Sequence, residues 1–249
     1  MKAALIPPFG YERTALQSDI HLILPLEACR TNIDYMNTYR SARERNDYLI
    51  LDNGCAEGDL VDNKTLMAVA AELGVHEIVA PDVMGNAEET YDLTKAFVEE
   101  NRSATDYNIM GVLQGESLAQ VLYLAAAFAK IPQITTFGIP KVHINNNEPH
   151  TRAQIANELI LRYGDKFKIH LLGLNNSFPT EMLDIKFPAN IRSMDSAQPY
   201  KMAELGVVLT AYNARKHHPK RRTDYFSRKR AVNEGMLMYN IEQFKAWCL

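Results

Sequence analysis

Cysteine is scarce: Cys29, Cys55 and Cys248 are the only three in 249 residues. They lie far apart without a CxxC pair, which excludes a disulfide framework and the usual spacing of a zinc site, so no metal and no cofactor is expected. No run approaches the ~20 apolar residues needed to cross a bilayer, so no membrane partner is expected. The opening MKAALIPPFGYERT reaches prolines and charges too soon for a signal-peptide core, and the expected compartment is the cytoplasm, of a cell or of an infected host. No GxGxxG or P-loop follows the early apolar runs, which weighs against a dinucleotide-binding sheet. Linker-like and low-complexity stretches are missing too, so residues 1–249 read as one domain.

Apolar residues make up 47% of the chain and charged ones 23%, a composition that supports a soluble globular core. The charge is unevenly placed. Between Arg215 and Arg230, eight Lys or Arg face the single acid Asp224, a formal +7 that leaves about −10 on the rest of a chain whose total is −3.

Short apolar runs alternate with amphipathic segments. The runs are 21–26, 48–52, 77–82, 108–114, 135–140, 168–175 and 191–195, and GVVLT at 206–210 reads as an eighth. Between them, 63–74, 86–101, 117–131 and 151–164 carry apolar residues at three- and four-residue spacing, as helices lying on a sheet require. Successive apolar positions in the runs imply strands buried on both faces, hence parallel ones. Units of roughly 25–35 residues, seven or eight in number, predict an α/β fold of the (β/α)8 TIM-type barrel class. Residues 211–230 form a basic segment, and 231–249 read as a closing C-terminal helix.

The strand runs end on polar residues. Asp52 ends YLILD, Asp82 ends EIVAPD, Gln114 ends NIMGVLQ and Asp195 ends IRSMD. Gly138 and Pro140 close TTFGIP, and Gly173 and Asn175 close KIHLLGLN. In a parallel barrel these tips surround the mouth where active sites sit. Strand-end polar residues also terminate strands and cap helices, so it is their convergence on one mouth that points to a site. Two carboxylates across a sugar suit glycosidic-bond chemistry, one as nucleophile and one as acid or base. A further carboxylate and an amide suit guanine, since the carboxylate accepts from its amino and imino N–H and Gln can donate to its carbonyl. Asp52, Asp82 and Asp195 could instead hold a divalent cation, which would make the chain a metal-dependent barrel hydrolase or lyase.

The ordered series ILDNG, APDVMG, MGVLQGES, FGIP, HLLGLN and SMDSA, over roughly residues 48–200, resembles the tRNA-guanine transglycosylase superfamily. The likeness lies in motif order more than identity. It implies Asp195 as the nucleophile that attacks the anomeric carbon and Asp52 as general acid/base. It implies Asp82 and Gln114 as readers of the purine, with Gly138 offering backbone groups to its edge. Pro140, Gly173 and Asn175 complete the implied substrate pocket. The family's CxCxxC…H zinc site has no counterpart here, and its LPTR is replaced by AQPYK. The zinc-free, phage-type (DpdA-like) enzymes that insert 7-deazaguanine into DNA are the nearer resemblance, with DNA expected as acceptor over tRNA. Three alternatives stand beside it: a tRNA-modifying enzyme, the metal-dependent hydrolase or lyase, and a non-catalytic nucleic-acid-binding barrel.

For a polymeric substrate, Arg215, Lys216, Lys220, Arg221, Arg222, Arg228, Lys229 and Arg230 supply a phosphate-binding surface, with Tyr225 and Phe226 as stacking groups. A target in a duplex would have to be flipped out. Cys55 reads as a small buried thiol. His143 and His150 read as loop hydrogen-bonding groups, and Lys141 as a residue at the phosphate or the pocket.

Overall fold

Eight parallel strands carry the architecture: β1 (Lys2–Leu5), β2 (Ile20–Ile23), β3 (Tyr48–Leu51), β4 (Glu77–Val79), β5 (Asn108–Val112), β6 (Ile134–Pro140), β7 (Lys168–Leu172) and β8 (Ile191–Ser196). The computed structural model describes residues 1–29, 32–58, 61–102, 107–141, 151–174, 180–217 and 223–248. The strands pair in the order β1-β8-β7-β6-β5-β4-β3-β2, and every ladder is parallel. β1 and β2 lie side by side at the seam without a ladder, so the chain is a nearly closed (β/α)8 TIM-type barrel.

The helices follow in sequence: α1 (Pro25–Cys29), α2 (Ile33–Glu44), α3 (Asn63–Leu73), α4 (Ala87–Glu100), α5 (Leu118–Phe128), α6 (Thr151–Tyr163), α7 (Thr180–Asp184), α8 (Gln198–Glu204), α9 (Ala211–Lys216) and α10 (Glu234–Cys248). Their starts are chemically marked. Asn32, Asp62, Asn86, Ser117 and Thr210 each accept from a backbone N–H of the first turn, satisfying donors that the helix leaves open. Among the described residues, no helix is long and apolar enough to cross a membrane.

One strand differs from expectation. Residues 206–210 are not a strand, because α10 claims their backbone: Leu209 N–H donates to Asn240 Oδ1 at 2.6 Å, and Asn240 Nδ2 donates to Val207 O at 3.1 Å. The eighth strand is β1, which pairs with β8 in the register Lys2↔Ser193 to Leu5↔Ser196. α10 packs on α8 and β1.

Alternation along each strand divides its residues between the barrel interior and the helices. On β6, Phe137 faces outward and stacks on Phe167, with ring centroids 4.3 Å apart. On β5, Gly111 faces α5, where a Cβ would come within 2.6 Å of the Phe128 ring. Inside, the N-terminal end of the barrel is filled by polar groups rather than aliphatic ones. Arg192 Nη1 donates to Glu77 Oε2 and to Thr136 Oγ1, and the Tyr48 hydroxyl donates to Glu77 Oε2 at 2.8 Å.

Arg192 reaches this floor because β8 is irregular. The register runs Ile169↔Ile191 and then His170↔Ser193, so Arg192 is an extra residue opposite β7. Such a bulge lets two neighbouring side chains turn to one face of a strand. Arg192 therefore reaches Glu77, while Ser193 meets His170.

Candidate active site at the barrel mouth

Asp52, Asp82, Gln114 and Asp195 all lie at the C-terminal ends of their strands, and all are buried. Asp52 follows β3 directly, where its N–H donates to Ile23 O at 2.8 Å and holds the turn against β2. Gly54 then adopts φ +83°, in the left-handed region that glycine enters without a Cβ clash, and brings the chain sharply back.

Asn53 ties this turn to β4. Its Nδ2 donates to Ala80 O and to Asp82 Oδ1, both at 2.7 Å, while its Oδ1 accepts from Cys55 N–H. The other carboxylate oxygen of Asp82 accepts from Gln114 Nε2 at 2.6 Å. Gly85 N–H donates to Gln114 Oε1 at 3.0 Å. A backbone N–H can only donate, so this bond sets the amide's orientation, and its NH2 must face Asp82. One N–H goes to the carboxylate, and the second is left for another acceptor.

The Cys55 thiol lies near Asp82. Burial, with the Asp82 charge next to it, pushes the thiol up to about 12, so it stays protonated at neutral pH. Burial likewise raises the Asp82 carboxyl above its ordinary value, against the lowering effect of the hydrogen bonds from Asn53 and Gln114 and of the nearby Cys55 thiol.

Asp195 stands on the other side of the mouth and is 5% exposed. Its Oδ1 accepts from Gly173 N–H at 2.8 Å and from His170 Nε2 at 3.2 Å. Among the described residues, Oδ2 accepts from none. Gly173 has φ +74°, a conformation that favours glycine. Its carbonyl is held in turn by Arg152 Nη1 at 2.7 Å. Arg152 is fixed by two bonds to Glu181, at 2.8 and 2.6 Å, in an ion pair whose members are 1% and 2% exposed.

The other expected residues divide. Gly138 lies one layer deeper, inside β6; its carbonyl already accepts from Leu113 N–H, and a Cβ would meet Met110 Sδ at 2.8 Å. The missing side chain gives steric clearance there. Pro140 ends β6 at the rim, half-buried. Asn175, His143 and His150 lie outside the described residues, as do Lys220, Arg221 and Arg222.

Arg215, Lys216, Arg228, Lys229 and Arg230 are exposed. The stretch around Tyr225 crosses over the end of β1: Tyr225 donates its hydroxyl to Ile6 O at 2.8 Å, and Ile6 N–H donates to Ser196 O, one residue past Asp195. Tyr225 is 1% exposed and anchors that crossing, so it is no surface stacking group, and Phe226 packs partly buried against it. Lys229 also lies across Gly10, with its ammonium 5.2 Å from the Tyr11 ring.

His170, Asn53, Arg152 and Glu181 are the site residues that the strand-end pattern misses. Only His170 carries a trace in sequence, as the one basic side chain within the apolar stretch IHLLGL. Among the described residues, no group of three or more His, Cys, Asp or Glu is gathered to hold a metal ion. Comparison of the chain with protein-family models and with curated proteins finds no match.

Proposed function

We propose that the protein is a base-exchange glycosyltransferase that replaces guanine in a nucleic acid, DNA in preference to tRNA, with a 7-deazaguanine such as the 7-cyano form. The observation that carries this reading is the division of labour at the mouth. One carboxylate, Asp195, has, among the described residues, a single oxygen tied down, while another, Asp82, is paired with an oriented amide. Guanine presents N–H donors at N1 and N2 beside the O6 acceptor. Asp82 matches the donors, and the remaining N–H of Gln114 matches O6.

In the first half-reaction, Asp195 forms a bond from a carboxylate oxygen to the anomeric carbon as the bond from that carbon to guanine N9 breaks. The bonding pair leaves with the purine, which takes a proton from Asp52. In the second, the incoming base gives its N9 proton to Asp52, bonds to the anomeric carbon and displaces Asp195. Two displacements retain configuration, and no proton is gained or lost overall.

The exposed cations Arg228, Lys229 and Arg230 follow Tyr225, which is tied to Ile6 just past β1, and they would meet the phosphate backbone of a base held in the mouth. DNA is preferred because no CxCxxC…H segment follows Asp195. The test is incubation with 7-deazaguanine bases and, separately, DNA and tRNA, followed by mass spectrometry of the nucleosides. A 7-deazaguanine nucleoside is expected in the DNA arm with release of guanine. Salt-dependent binding with unaltered nucleosides in both arms would mean a binding module and end the enzymatic reading.

A further inference from the structure

We propose that His170 is a positioning residue for Asp195, held in one tautomer by a hydrogen-bond chain that starts at the Glu77–Arg192 ion pair on the barrel floor. The chain's direction follows from what each group can donate. Arg192 Nε–H donates to Ser193 Oγ at 3.1 Å and can accept nothing. Ser193 is fully buried, and its Oγ lies 2.7 Å from His170 Nδ1. Among the described residues, that nitrogen is the one acceptor available to the hydroxyl proton. His170 Nδ1 therefore accepts, and the imidazole proton sits on Nε2, which donates to Asp195 Oδ1.

Gly173 N–H donates to the same oxygen. Both donors thus act on Oδ1 and leave Oδ2 for the anomeric carbon. In the covalent intermediate, Oδ1 becomes the carbonyl oxygen of the glycosyl ester. The same two donors then draw charge onto it as the ester bond breaks, which favours the second displacement. The β8 bulge is what makes the chain continuous, since without it Arg192 and Ser193 would face opposite sides of the strand.

The kinetic part of this proposal rests on the base-exchange reading, whereas the tautomer does not. NMR of 15N-histidine-labelled protein, with His170 assigned through His170→Gln, is expected to find a neutral ring protonated at Nε2. A ring protonated at Nδ1, or at both nitrogens at neutral pH, overturns the proposal. In steady-state exchange, His170→Phe is expected to lower kcat on the order of 100-fold with KM for the base unchanged. His170→Gln, whose amide can still donate to Oδ1, is expected to recover to within about tenfold of wild type. Ser193→Ala, a smaller change should His170→Phe fold poorly, is expected to fall between them with a mixed tautomer in the spectrum. Equal losses in the Phe and Gln variants that track their melting temperatures would reduce His170 to packing and overturn the role. If the wild type exchanges no base, the functional reading fails while the spectrum still decides the hydrogen-bond chain.

Discussion

Asp195→Asn is expected to lower base exchange on the order of 10⁴-fold or more while leaving the melting temperature close to that of wild type. The amide keeps an acceptor oxygen for Gly173 N–H and His170 Nε2, so the contacts that hold this side chain survive. It removes the negative oxygen that would attack the anomeric carbon. Removing a nucleophile eliminates the covalent route altogether, so the residual rate comes from binding and electrostatics alone. Incorporation of a labelled 7-deazaguanine, with Tm measured on the same preparation, checks both halves. A variant that exchanges base at the wild-type rate would show that another group, or direct displacement, carries the reaction.

Arg152→Met is expected to have the largest effect on stability. The guanidinium is almost fully enclosed, makes two bonds to Glu181 and holds the Gly173 carbonyl. Methionine would break the two bonds to Glu181, and breaking a buried pair from one side costs about 3–5 kcal/mol in comparable cases. At roughly 2–4 °C per kcal/mol for a chain of this size, Tm should fall by something on the order of 6–20 °C. Activity should fall as well, because Gly173 positions Asp195 through its N–H and is itself positioned through its carbonyl. The double variant Arg152→Met with Glu181→Leu separates the two effects. It replaces both members of the pair with apolar side chains, so most of the stability should return, but it does not restore the grip on Gly173, so activity should stay low. Full recovery of both would show that the ion pair serves folding alone.

The parts of this molecule that could be read from sequence are those with a short-range signature. Helices α3 to α6 carry apolar spacing and, in α3, α4 and α5, a capping Asp, Asn or Ser at the first turn. Buried parallel strands carry uninterrupted apolar runs, and the strand-end Asp52, Asp82, Gln114 and Asp195 mark the mouth because a barrel puts all such ends together. β1 was hidden because KAAL is four residues long, two of them alanine, and its strand character comes from the β8 ladder. GVVLT has the stronger local strand propensity, yet Asn240 of α10 takes its backbone groups. Long-range pairs leave no such trace. Arg152 and Glu181 are 29 residues apart on two helices, and Arg192 meets Glu77 across 115 residues because a bulge turns it inward. Tyr225 looked like a surface aromatic in a basic run, but burial under the rim depends on contacts with residues near the other end of the chain.

The covalent intermediate is the most direct test of the whole account. Protein incubated with a guanine-containing oligonucleotide in the absence of an incoming base is quenched in acid, denatured and weighed intact. A species with the mass of the protein plus the oligonucleotide less guanine is expected, with fragmentation placing it on Asp195. Guanine released with no such species, or an adduct mapped to a different residue, would contradict it.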